Sequence, residues 1–193
     1  HVLPAALALS EMHGVDAERF LSALVVGYEV GSRIGAASQL RGAMHPHGTW
    51  GTIGAAAACA RVLGSEPATM RETINVSSSM TTATSKRTML EGGLVRNVYA
   101  GLSNRNGVLA SQLVACGFTG ERDGLSSLFG EIVSEHFDAN ILLRDLGSDW
   151  HLMHNYFKLH SCCRYNHGTL DALDAMAAQH PLPVADRIAR IQV

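Results

Sequence analysis

Three times along this chain an apolar run stops at a glycine, and a polar residue one or two places later opens another run. The segments are Met12-His-Gly14-Val-Asp16, Leu63-Gly64-Ser65 and Cys116-Gly117-Phe-Thr119. Glycine enters the left-handed conformation without steric cost, and a polar side chain can accept hydrogen bonds from the unpaired N–H groups of the next helix. Each segment therefore reads as a tight turn between antiparallel helices. No fixed period separates them, so they share turn chemistry and do not build a solenoid.

The apolar spacing between these turns is helical. Helices are expected over residues 3–12 and from Ala17 to about Ile34, the second capped by Asp16 with Phe20, Leu21, Leu24, Val25 and Tyr28 on one face. Further helices are expected over Thr52–Leu63, from Glu66-Pro67 with Ser65 as cap, over Val108–Cys116, and onward from Thr119. Small residues crowd Gly54-Ala-Ala-Ala-Ala-Cys-Ala60, which lets neighbouring helices come close. The fold class is mainly α: a compact helical domain of αα-hairpins.

Two stretches interrupt that pattern. Residues 77–88, rich in Ser and Thr, read as a helix end and a polar loop, and Pro181-Leu-Pro-Val-Ala185 marks a break. Residues 187–193 then alternate polar and apolar like a strand, and a lone strand needs partners. One boundary is expected, near 150–160 or just after 180, and the chain reads as part of a longer protein.

Composition narrows the function. At 47% hydrophobic and 17% charged residues the chain has material for a core and is not a disordered sequence. A net charge of −2 offers no electrostatic reason to bind nucleic acid or an anionic membrane, and no apolar run is long enough to span a bilayer. Cys59 and Cys116 sit in helical runs and are expected to be core thiols; Cys162 and Cys163 are adjacent, where a bridge would be strained. That usage fits a reducing cytoplasm. No Gly-rich phosphate loop, G-x-S-x-G elbow or H-E-x-x-H pair is found.

Three stretches can carry chemistry. Met44-His45-Pro46-His47-Gly48-Thr49 precedes the Ala-rich helix; Thr49 can cap that helix, whose first N–H groups favour an anion. In Leu94–Gly107, Arg96 and Tyr99 are three apart and share a face if helical; Arg96 can hold a carboxylate and Tyr99 can donate a proton. Phe157–His167 packs Lys158, His160, Cys162, Cys163, Arg164 and His167 together. A lysine near an arginine loses its proton more readily, which suits Lys158 to acid–base work. A zinc site through His160, Cys162, Cys163 and His167 is an alternative, though no C-x-x-C pair supports it. Each stretch can equally be a solvated loop or ordinary packing.

Taken in order, these stretches resemble the MmgE/PrpD family, which includes 2-methylcitrate dehydratase, cis-aconitate decarboxylase and iminodisuccinate epimerase. The matching text is Gly27-Tyr28-Glu29-Val30 with Arg33-Ile34, then His45-Pro46 with Gly51–Ala57. It continues through Ala100-Gly101, Asn106–Ala110 and Gly117–Gly120 to Phe157-Lys158, Cys162-Cys163-Arg164, His167 and Asp171-Ala172. The resemblance implies a helical domain, partial here over 1–155, with the beginning of a smaller α/β lid domain over 156–193, commonly as a homodimer, and di- or tricarboxylate substrates handled without metal or organic cofactor. It implies catalytic roles for His45, Lys158 and His167, and substrate binding by Arg96, Tyr99, Cys163 and Arg164. In the decarboxylase branch a further catalytic histidine falls where Cys163 stands, whereas dehydratase-like members carry a Cys-Arg and a later histidine, here Cys163, Arg164 and His167. Tyr99 occupies a position that is histidine in many members. The expected function is a 2-methylcitrate dehydratase-like hydro-lyase. Its alternatives are an epimerase of the same family and a non-catalytic helical dimerisation module that has kept the fold.

Overall fold

The computed structural model describes residues 1–190 and 192. The chain is mainly α and divides into two compact units, His1–His154 and Asn155–Val193.

In the first unit the elements run α1 (Leu3–His13), α2 (Ala17–Ala37), β1 (Ser38–Leu40), β2 (Met44–His45), α3 (Trp50–Val62), α4 (Pro67–Ser78), β3 (Thr84–Ser85), α5 (Lys86–Leu90), a 3-10 turn (Leu94–Val98) and α6 (Tyr99–Ala115). A π-type turn (Ser126–Ile132), β4 (Ser134–Phe137), α7 (Ala139–Leu143) and a 3-10 turn (His151–His154) complete it. Two short antiparallel ladders tie distant loops together. Ser38 pairs with Phe137 across β1 and β4, and His45 pairs with Thr84 across β2 and β3.

Helix α3 is the centre of the unit, and every residue from Gly51 to Ala60 is buried. Its small side chains are what allow neighbours on several sides. A Cβ on Gly54 would lie 2.6 Å from the Gly27 carbonyl of α2, and one on Gly107 of α6 would lie 2.7 Å from the Ala55 Cβ. Around it, Ala5, Ala6 and Leu9 of α1 pack with Ala23, Ala58, Cys59 and Val62. Ile34 and Ile53 pack with Phe129 and Val133, and Ala56 with Val76 and Ala110. Burial pushes the Cys59 thiol up to about 12.

The first expected turn forms as read: Gly14 is left-handed at φ 60°, and Asp16 accepts the Arg19 N–H of α2. Other expectations need correction. Leu21 is exposed, and the buried stripe of α2 runs instead through Ala23, Gly27, Gly31 and Ile34. Glu66, not Ser65, precedes α4, without a side-chain cap bond. The polar 77–88 segment contains β3 and the first residues of α5. Cys116 is exposed at the end of α6.

Helix α6 begins at Tyr99, well before Val108, because tertiary partners absorb the polar groups that made its start read as a loop. Asn104 donates to the Ala100 carbonyl and accepts the Ala5 N–H of α1 at 2.9 Å, and Asn106 donates to the Met80 carbonyl. Conversely, no helix starts at Thr119. The chain there is pinned to α4 as a loop: the Gly120 N–H donates to Glu72 at 2.6 Å and the Gly124 N–H to Asn75.

One buried ion pair organises the end of the unit. Arg33 Nε donates to Glu29 Oε1 at 2.5 Å, one helical turn apart on α2. The rest of the guanidinium donates to the carbonyls of Leu142, Arg144 and Asp149, and Glu29 Oε2 accepts the His151 N–H at 2.9 Å. All four partners lie in the segment that follows β4, so the pair fastens that segment to α2.

The second unit contains a 3-10 turn (Arg164–Asn166), α8 (His167–Gln179) and a short 3-10 turn (Ala185–Arg187). The strand expected over 187–193 is not formed in residues 187–190; Ile191 and Val193 lie outside the described residues. No helix among the described residues is long and apolar enough to cross a membrane.

Candidate active site

In the first unit three of the residues singled out by sequence meet at the start of α3. The β2–β3 ladder holds His45, and the Thr84 hydroxyl lies against the carbonyls of His45 and His47. His45 is 4% exposed. Its Nδ1 accepts the main-chain N–H of His47 at 3.1 Å. The Tyr99 ring, also buried, stands edge-on with its centroid 6.0 Å away. Burial, and secondly the positive charge of Arg96, lowers the His45 pKa below the ordinary histidine value, which favours the neutral ring.

Arg96 reaches the same place from the 3-10 turn before α6. Its Nε is buried and has no hydrogen-bond partner among the described residues. A buried guanidinium N–H without an acceptor costs free energy unless an anion or water supplies one. A cation acting on a buried imidazole, with a donor left open, can receive a carboxylate.

Neighbouring histidines extend the row. The His47 ring packs edge-on to His45 at 4.5 Å and to His1 at 4.9 Å. His1 Nδ1 lies 3.0 Å from the Ser103 hydroxyl, which donates to the Tyr99 carbonyl. The His1 ring fills the space over Gly51 at the start of α3, where a Cβ would come within 2.6 Å of it. The expected Thr49 cap is not made. Thr49 turns its hydroxyl back to the Pro46 carbonyl instead. Sequence reading did not find His1 or Ser103; His47 was visible in the His-x-His spacing.

The second unit groups a different set. His160 Nε2 and Asp171 Oδ1 are 2.7 Å apart, and the His160 and His167 rings meet edge-on at 5.1 Å. The hydrogen bond from His160, followed by the charges of His160, His167 and Arg164, holds the Asp171 carboxyl below the usual carboxylate range. His167 is buried, with no hydrogen-bond partner at Nε2 among the described residues. The Arg164 guanidinium lies 5.1 Å from the centre of the Tyr156 ring. Lys158 and Cys163 are exposed, and Cys162 is half-buried. The zinc alternative is not assembled: among the described residues no three His, Cys, Asp or Glu side chains are placed to hold a metal ion. The His160–Asp171 contact went unread because its partners are eleven residues apart on either side of the 3-10 turn.

The N-terminal domain model of the MmgE/PrpD family matches residues 1–139. The chain belongs to the MmgE/PrpD family. It is similar to a cis-aconitate decarboxylase of Aspergillus terreus, 28% identical over 201 residues that cover 93% of this chain and 40% of the relative. A cis-aconitate decarboxylase-like protein, oryM of Aspergillus oryzae, is 26% identical over 200 residues, covering 93% of this chain and 41% of the relative. The chain thus spans about two fifths of the length of the curated relatives it matches.

Proposed function

We propose that this MmgE/PrpD chain is part of a cofactor-independent lyase that acts on a di- or tricarboxylic acid. The observation that carries the reading is the buried Arg96 Nε, without an acceptor among the described residues, whose charge acts on buried His45, itself edge-on to Tyr99. Removing a proton or carbon dioxide next to a carboxylate builds negative charge, and fixed donors lower the barrier by stabilising it. Arg96 supplies the cation in the first unit. In the second unit Arg164 is assigned to substrate binding with Cys163, and Lys158 and His167 to proton transfer. The second unit is read as the beginning of the lid domain, and the working assembly as a cytoplasmic homodimer.

Loss of water, as in 2-methylcitrate dehydratase, is the first choice because Cys163, Arg164 and His167 stand where dehydratase-like members carry Cys-Arg and a later histidine. Loss of carbon dioxide is the second, favoured by the names of the two Aspergillus relatives. The test incubates the full-length protein with 2-methylcitrate, citrate and cis-aconitate, following the unsaturated product by ultraviolet absorbance and carbon dioxide by trapping. Absorbance gain without carbon dioxide supports the dehydratase, and carbon dioxide release the decarboxylase. Binding of these acids without turnover would leave the non-catalytic module.

A further inference from the structure

The tautomer of His45 is set by the backbone. The main-chain N–H of His47 points at His45 Nδ1 from 3.1 Å, so that nitrogen carries the lone pair and not a proton. On a neutral imidazole the single proton then sits on Nε2. A base working through Nε2 would need the opposite tautomer, which places two N–H groups against each other at the His47 amide. An imidazolium would meet the same conflict, and it would also be a cation buried beside Arg96.

The groups facing His45 all agree with the neutral state. They are the Arg96 guanidinium from the 3-10 turn, the Tyr99 ring from α6, the His47 ring from its own loop, and His1 beyond His47. Among the described residues no carboxylate hydrogen-bonds to His45 or forms an ion pair with it.

The geometry points to His45 as a neutral hydrogen-bond donor, its Nε2–H and the Arg96 Nε–H serving the same substrate oxygen or carboxylate, and not as the base that removes the substrate proton. This rests on the lyase reading above and assigns one role within it. No proton leaves His45 in the step. Its N–H strengthens a hydrogen bond as charge builds on the oxygen, and the proton acceptor is a different group.

The test uses the intact protein labelled with 15N-histidine. Two-bond proton–nitrogen correlation spectra are expected to show His45 at pH 7 with an unprotonated Nδ1 and a protonated Nε2. A protonated Nδ1, or an imidazolium at that pH, would overturn the assignment whether or not the protein turns over any acid. Activity gives the second arm. His45→Gln keeps a side-chain N–H donor and is expected to hold kcat within about tenfold of wild type, whereas His45→Phe loses about 100- to 1000-fold, as removal of a transition-state donor does. Equal large losses in both variants would indicate a base and refute the donor role. A confirmed Nε2–H tautomer with no turnover of any acid would instead sink the lyase reading and leave the tautomer standing.

Discussion

Replacing Arg33 by methionine should be among the most damaging single changes in the first unit. The substitution keeps most of the apolar stem but removes every donor of the guanidinium. Glu29 is left as a carboxylate with the His151 N–H as its remaining partner, in a site where both side chains of the pair are about 5% exposed or less. Removing one member of a buried, hydrogen-bonded pair costs about 3–5 kcal/mol, because the other charge stays buried and uncompensated. The carbonyls of Leu142, Arg144 and Asp149 also lose their donor, which frees the segment from α7 to His151. Urea unfolding followed by circular dichroism measures the global loss, and hydrogen exchange at residues 139–151 reads the local one. Arg87→Met is the control: its pair with Glu91 is mostly exposed, and its loss should cost less than about 1 kcal/mol. Replacing both Glu29 and Arg33 by apolar residues should recover part of the single-variant loss, since no lone charge remains. A cost for Arg33→Met no larger than that of the control, with exchange at 139–151 unchanged, would refute the idea that this pair fastens the segment.

Three further outcomes follow from other parts of the fold. Gly54→Ala should destabilise by about 1–3 kcal/mol through crowding against the Gly27 carbonyl, although helix propensity alone would make it stabilising by about 1 kcal/mol; the sign of the change in a urea melt decides between them. Cys116 and Cys163 should react with an alkylating agent at pH 8 in the native protein, while Cys59, buried and with its thiol pushed up to about 12, should react only on unfolding; peptide mass spectrometry reads each site. The lowered pKa of His45 means that the unfolded chain takes up its proton first as the pH falls. Its contribution to stability is therefore complete above about pH 6.5 and is lost as the pH drops toward the lower folded value, at no more than about 1.4 kcal/mol per pH unit. Comparing urea stability at pH 7.5 and 5.5, the difference should shrink in His45→Gln; an unchanged difference would contradict the shift.

The helical class and the first turn were legible because glycine and capping chemistry act locally, as Gly14 and Asp16 demonstrate. What could not be read depends on partners far along the chain. The polar start of α6 is helical only because its asparagines meet α1 and the loop after α4, and Thr119 is not a helix start because Glu72 and Asn75 hold the loop. The site shows the same division. His45, Arg96 and Tyr99 were chosen by residue type and family resemblance, and the fold brings them together. The His47 amide on His45, and Ser103 beneath His1, are positional facts that spacing does not encode. Glu29 and Arg33 entered the sequence reading only as part of the family-like text, and their pairing and anchoring role appear only when the carbonyls beyond Leu142 arrive.

Proton exchange tests the proposed chemistry most directly. In deuterated buffer the full-length protein should place deuterium on the carbon next to a carboxylate, in the substrate or the product, for at least one of 2-methylcitrate, citrate or cis-aconitate. Arg96→Met should abolish that signal with the fold intact by circular dichroism. Absence of both deuterium and unsaturated product with all three acids, or undiminished incorporation by Arg96→Met, would contradict the assignment of this site to a polycarboxylate lyase.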